Sequence, residues 1–91
     1  VELFVPNVFT PNDDGENDVF SITAFGIRDV SWRIFDRYGE LLFESRHLED
    51  QWDGSFRGKT VDEGVYIVQL LYTDIATGKR EAYHGSLTLL R

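Results

Sequence analysis

Val30–Asp36 alternates cleanly: Val30, Trp32 and Ile34 fall on one face, Ser31 and Arg33 on the other. A period of two puts successive side chains on opposite sides of a pleated strand, so the segment predicts a half-buried strand. Arg37-Tyr38-Gly39-Glu40 follows as a turn in which Gly39 can take a positive φ, and Leu41-Leu42-Phe43 returns as the partner strand. A hairpin with one apolar face constrains the rest of the chain to supply a sheet and a layer to cover it.

The flanking segments read the same way. Leu3-Phe4-Val5 and Val8-Phe9 are short apolar pieces divided by Pro6. Proline cannot donate to a ladder, so this is an edge strand or one that changes partners at the proline. Val19–Thr23 predicts a strand with Phe20 and Ile22 on one face, and Phe25-Gly26 a bend. Ser45–Lys59 predicts loop with one possible helical turn over 45–51, while Asp53-Gly54 and Gly58 are turn signals around Phe56. Val65–Thr73 is apolar on nearly both faces, which suits a central strand covered on both sides or one whose outer face packs on a partner. After a hairpin loop over 74–79, Arg80–Leu90 is the last strand, with Tyr83, Leu87 and Leu89 on its core face. The spacing predicts an all-β fold, a small antiparallel β-sandwich of immunoglobulin-like type with about seven strands, with a small barrel as the second choice. With 91 residues it forms one domain, and with no cysteine neither disulfides nor thiolate metal sites hold it together.

Charge narrows the function. The net charge is −7, and residues 1–27 carry five acids and no Lys or Arg. An acidic chain without a basic block is a poor ligand for nucleic acid or anionic membrane. No apolar run approaches the roughly 20 residues a membrane-spanning helix requires. The sequence contains no Met and begins at Val1, as expected of a piece of a longer polypeptide.

Asp13, Asp14, Glu16 and Asp18 place four carboxylates within six residues. At ~4 Å in water each like-charge pair costs about 1 kcal/mol, which a divalent cation would reverse. Asn12, Asp14 and Asp18 alternate as calcium ligands do, with Gly15 for the sharp turn and Glu16 to offer its carbonyl. The helix-loop-helix calcium signature is missing, since Thr10 and Ser21 stand where its first and last ligands belong. The other reading is a solvated turn in which Asn and Asp cap their own backbone. A calcium site would show as a melting temperature that EDTA lowers.

The remaining chemistry is sparse. His47 and His84 have no zinc-ligand spacing, the serines have no nucleophile-elbow context, and the scattered carboxylates have no cleft-building insertion around them. No catalytic residue is assigned, and no enzymatic activity is expected. Trp52, beside Asp53-Gly54, either stacks on a sugar, as in carbohydrate-binding sandwiches, or folds back over the core, which its large apolar area favours.

Pro6-Asn7-Val8-Phe9-Thr10-Pro11-Asn12 followed by Asp14-Gly15-Glu16-Asn17-Asp18-Val19-Phe20 resembles the opening of the gliding motility-associated C-terminal domain, the type B sorting domain of the type IX secretion system in Bacteroidota. Asp36-Arg37-Tyr38-Gly39-Glu40-Leu41-Leu42-Phe43-Glu44, Trp52-Asp53-Gly54, Gly64-Val65-Tyr66 and Gly85–Arg91 continue the resemblance in order across essentially the whole chain. The departures are Asp13, Asp36 and Tyr38, where the family usually has Gly, Asn and Trp, and the absence of a Pro near Asp62. The resemblance implies a non-catalytic C-terminal sorting domain over 1–91. Such a domain directs a cargo protein through the type IX translocon, with an outer-membrane partner protein, to the cell surface or medium. The alternative is an adhesive or carbohydrate-binding sandwich using Trp52 and the acidic loop. Candidate partner-contacting residues are Arg37, Tyr38 and Gly39 in the turn and Leu89, Leu90 and Arg91 at the end of the last strand, a segment able to add to a partner's sheet edge.

Overall fold

The computed structural model describes residues 1–11, Gly15 and residues 18–91. Among the described residues there are nine strands: β1 (Glu2–Phe4), β2 (Val8–Phe9), β3 (Thr23–Phe25), β4 (Ile27–Phe35), β5 (Leu41–Ser45), β6 (Ser55–Phe56), β7 (Lys59–Thr60), β8 (Gly64–Asp74) and β9 (Arg80–Leu89). Five of them form one sheet in the order β2-β9-β8-β4-β5, antiparallel except where β2 runs parallel to β9. β1 pairs with β3, and β6 with β7, in two small ribbons.

Pro6 does what its chemistry predicts. β1 before it belongs to the ribbon with β3, and β2 after it belongs to the large sheet, so the chain changes partners across the residue that cannot donate. The two strands beyond the expected seven are the pairs Ser55↔Thr60 and Phe56↔Lys59, a tight hairpin where loop was expected. No helical turn forms over 45–51. There the Ser45 hydroxyl accepts from the His47 N–H at 2.9 Å and donates to the Asp50 carboxylate at 2.6 Å. A side chain that satisfies nearby polar groups in this way competes with helical hydrogen bonding.

Alternation fixes the faces of the sheet. Trp32 and Ile34 on β4, Val68 and Leu70 on β8, and Leu87 and Leu89 on β9 point inward and are fully buried. The opposing layer is less regular. Of the predicted strand Val19–Thr23 only Thr23 joins a strand, as the first residue of β3, and Phe20 instead makes a lone antiparallel bridge with Trp52. Phe20 N–H donates to the Trp52 carbonyl at 2.7 Å and Trp52 N–H to that of Phe20 at 2.9 Å. From this layer Phe20 and Trp52 insert rings between those of the large sheet. Ring centroids run from Phe43 to Trp32 (4.9 Å), Phe20 (5.8 Å), Phe9 (6.2 Å), Trp52 (5.6 Å) and Tyr66 (5.8 Å). Tilted and edge-to-face contacts of this kind add to the area the rings bury. The result is a β-sandwich whose core is an aromatic chain joining the two layers. Tyr83 packs over its edge by lying across Gly85, where an added Cβ would sit 2.5 Å from the tyrosine hydroxyl.

β8 is central, as its apolar run predicts, but the first half of its outer face is open. Val65 and Ile67 on the outer face remain 52% and 40% exposed, so of the two readings of this run, cover on both sides is corrected at this end of the strand: among the described residues nothing buries these two side chains.

Candidate functional site

The β4–β5 turn is built by Asp36. Its carboxylate Oδ1 accepts from the Tyr38 N–H at 2.8 Å and the Glu40 N–H at 2.9 Å, while its carbonyl accepts from Gly39 N–H at 3.1 Å. Gly39 takes φ 87°, a conformation glycine adopts without steric cost. So held, the turn lifts Tyr38 into solvent, 81% exposed, and the Arg37 guanidinium lies 5.0 Å from its ring centroid. Among the described residues Arg37 forms no ion pair; its partner is the Tyr38 ring.

Beside this tip lies a cleft of about 370 Å³, lined by Tyr38, Leu42, Phe56 and Tyr66 and rimmed by Asp36, Glu40, Asp62 and Glu63. Its floor carries one perturbed group. Tyr66 donates its hydroxyl to the Asp62 carbonyl at 2.5 Å, and burial, followed by the nearby Asp62 carboxylate, raises its pKa above the ordinary 10.0. Above pH 10 the unfolded chain therefore loses this proton before the folded one does. Stability should fall as pH rises from 10 through the folded pKa. Urea midpoints measured across that range should drop more steeply for the wild type than for Tyr66→Phe, which removes the ionisable group.

The C-terminal residues divide. Leu89 is fully buried, so its side chain is a core residue and not a partner contact; the inward alternation of β9 puts it there. The strand's end is also no free edge, because Thr88 and Leu89 pair with Val8 and Phe9 on one side and with Val65 and Gly64 on the other. Leu90 is exposed. Arg91 turns back onto the domain: its guanidinium donates to the carbonyls of Val61 at 2.5 Å, Pro11 at 3.4 Å and Gly54 at 3.5 Å, and its N–H to the Glu63 carboxylate at 2.6 Å. Val61 and Glu63 line the cleft beside Tyr38. The turn, the last residue and the start of the acidic loop thus meet at one end of the sandwich.

A planar guanidinium can satisfy several carbonyls at once, which an ammonium on a flexible stem cannot. Arg91→Ala should therefore lower stability by about 1 kcal/mol, a modest figure because the contacts are mostly exposed. Arg91→Lys should recover little of it in urea unfolding.

Of the residues expected to hold calcium, Asn12, Asp14 and Glu16 lie outside the described residues. Asp18 accepts the Gly15 N–H at 2.8 Å. Trp52 is 2% exposed and donates its indole N–H to the Ser55 carbonyl at 2.9 Å, so it offers no open ring face to a sugar. Asp36 and the Arg91 clasp were not singled out as turn- and loop-organising groups. An Asp three residues before Gly in a turn was the available signal for the first, and nothing local marks the second.

Residues 3–89 match the CHU_C type IX secretion signal domain. Among solved structures the chain resembles part of PorZ, described as an essential bacterial surface component of the type IX secretion system of Porphyromonas gingivalis. The likeness has a TM-score of 0.61 at 23% identity and covers 100% of this chain and 11% of PorZ. At that identity it speaks for the fold. No curated protein matches the chain.

Proposed function

We propose that this chain, which belongs to the CHU_C type IX secretion signal domain family, is the sorting module by which a larger protein is handed to the type IX translocon and carried to the cell surface or medium. The family match across residues 3–89 carries this reading. A secretion signal of this family marks its cargo for export. In this chain it does so as a folded surface and not as an unfolded leader, because its side chains are committed to an aromatic core that only the folded chain assembles. Translocon components and an outer-membrane partner protein read that surface, and no catalytic step is assigned to it.

Within the reading, the β4–β5 tip is the contact we assign to recognition. Tyrosine and arginine are both enriched among the residues that anchor one protein surface to another. Fusing residues 1–91 to the C-terminus of a reporter, in a host that carries the system and the cognate partner, should place the reporter outside the cell. The double substitution Arg37→Ala, Tyr38→Ala should leave the melting temperature within a few degrees, as expected of exposed positions, and reduce export severalfold. Retention of the wild-type fusion in the periplasm would reject the sorting role. Full export by the double variant would move recognition to another surface.

A further inference from the structure

The chain has nine Lys and Arg against sixteen Asp and Glu, spread without a basic block. Folding nevertheless gathers Arg28, Arg33, Arg46 and Arg80 around one cleft of about 620 Å³ on the outer face of the large sheet. Strand register explains the gathering. Arg33 sits across from Gln69 on β8 and Glu44 on β5, while Arg28 and Arg80 both register with Thr73. Arg46 follows directly on β5. The four arginines share the cleft with Asp29, Glu44 and Glu49, so it is a mixed-charge surface and not a basic patch.

The cleft is a built feature. Its wall is the bulge in β4 between Arg28 and Ser31, where Asp29 adopts φ 54°, uncommon for a residue with a Cβ. The Asp29 carbonyl accepts from Arg80, which also donates to the Thr73 hydroxyl at 3.2 Å, so that guanidinium is fixed in place. Three carboxylates line the same cleft, and each faces a particular neighbour: Asp29 pairs with Arg28 at 3.2 Å, Glu44 with Arg33, and Glu49 stands 3.7 Å from His47 Nδ1. Two cations are left over. Arg80 is bound only to neutral oxygens, and Arg46 has no hydrogen-bond or ion-pair partner among the described residues.

We propose that this cleft binds an acidic segment of a partner protein, seating separate side-chain carboxylates on Arg46 and Arg80. A guanidinium presents a planar fork of donors that matches a carboxylate. The interleaved Asp29, Glu44 and Glu49 would repel a continuous polyanion or an anionic membrane, as would the domain's charge of −7. A peptide with spaced carboxylates can step between them. Ile27, Val30 and Leu48, half-buried in the lining, give its apolar side chains a surface. This goes beyond the sorting role and is read on the purified chain, so neither outcome depends on the export assay.

The test is fluorescence titration of the purified chain with a labelled peptide of repeating Glu-Leu-Ser units at low ionic strength. Saturable binding is expected, and Arg46→Glu and Arg80→Glu should each weaken it by about tenfold or more. Arg57→Glu and Lys59→Glu, which change the net charge equally on the β6–β7 hairpin, should weaken it by less than about twofold. Arg46 holds no other group in place, so its variant should keep the wild-type melting temperature, and the result stands even if Arg80→Glu unfolds. Absence of peptide binding overturns the proposal, as does equal weakening by the hairpin controls. Tighter binding of heparin or phosphatidylserine vesicles than of the peptide also overturns it, in favour of a phosphate- or sulfate-bearing ligand.

Discussion

Trp52→Ala should remove ~3–5 kcal/mol of stability, the range for deleting a buried aromatic ring. Against the ~5–15 kcal/mol that holds a domain of this size together, that removes between about a fifth and the whole of the margin. The argument rests on where Trp52 sits. Its ring is one of two that the irregular layer inserts into the large sheet, in contact with Phe9 and Tyr66, and its backbone exchanges both hydrogen bonds with Phe20. Removing it opens a cavity at the joint between the layers, which the surrounding strands cannot close without breaking their own register. Trp52→Phe keeps a ring in the site and gives up the hydrogen bond to the Ser55 carbonyl, at a cost of about 1 kcal/mol. Chemical denaturation separates the two variants. The same pair tests how the signal is read: if the translocon recognises a folded surface, Trp52→Ala reduces export in step with its loss of stability and Trp52→Phe preserves it. Equal export by both would mean that a linear segment is enough.

Much of the large sheet was legible because its strands obey local rules. Trp32 and Ile34, Leu87 and Leu89 announce their faces by alternation, Gly39 marks a turn, and Pro6 marks the change of sheet. The opposing layer was not legible in the same way. Phe20 pairs with Trp52 across more than thirty intervening positions in a single bridge, and one bridge leaves no periodic pattern to read. The arginine cleft escaped for a related reason. Arg28, Arg33, Arg46 and Arg80 are dilute in sequence, and only the register of β4, β5, β8 and β9 brings them to one place. The hairpin pattern places Arg37 and Tyr38 in a turn, where they stand exposed, whereas Leu89 was assigned to both core and contact surface and belongs to the core.

Gly54→Val should cost about 3 kcal/mol or more, from two sources that add. Gly54 holds φ 82°, where a β-branched residue is strained whatever space surrounds it. Space is also missing: a Cβ there would lie 3.1 Å from Leu89 Cδ1, 3.4 Å from the Pro11 ring and 3.5 Å from the edge of Phe9. None of the three can retreat freely, since Leu89 and Phe9 are buried and Pro11 accepts from Arg91. Gly54→Ala separates the sources, because it carries the backbone strain and only the first atom of the crowding, and should cost about 2 kcal/mol. Leu89→Ala in the Gly54→Val background then decides which source dominates. If crowding against Leu89 is the larger part, the double variant should be less destabilised than the sum of the two single changes. A strictly additive cycle would assign the cost to φ alone. On the proposed sorting role, the position bears on the signal as well as on the fold. Gly54 offers its carbonyl to Arg91 and packs under Pro11, so a side chain here pries apart the end of the sandwich where Arg91 and Pro11 meet. Export should therefore fall more for Gly54→Val than for an equally destabilising change at the far end of β8.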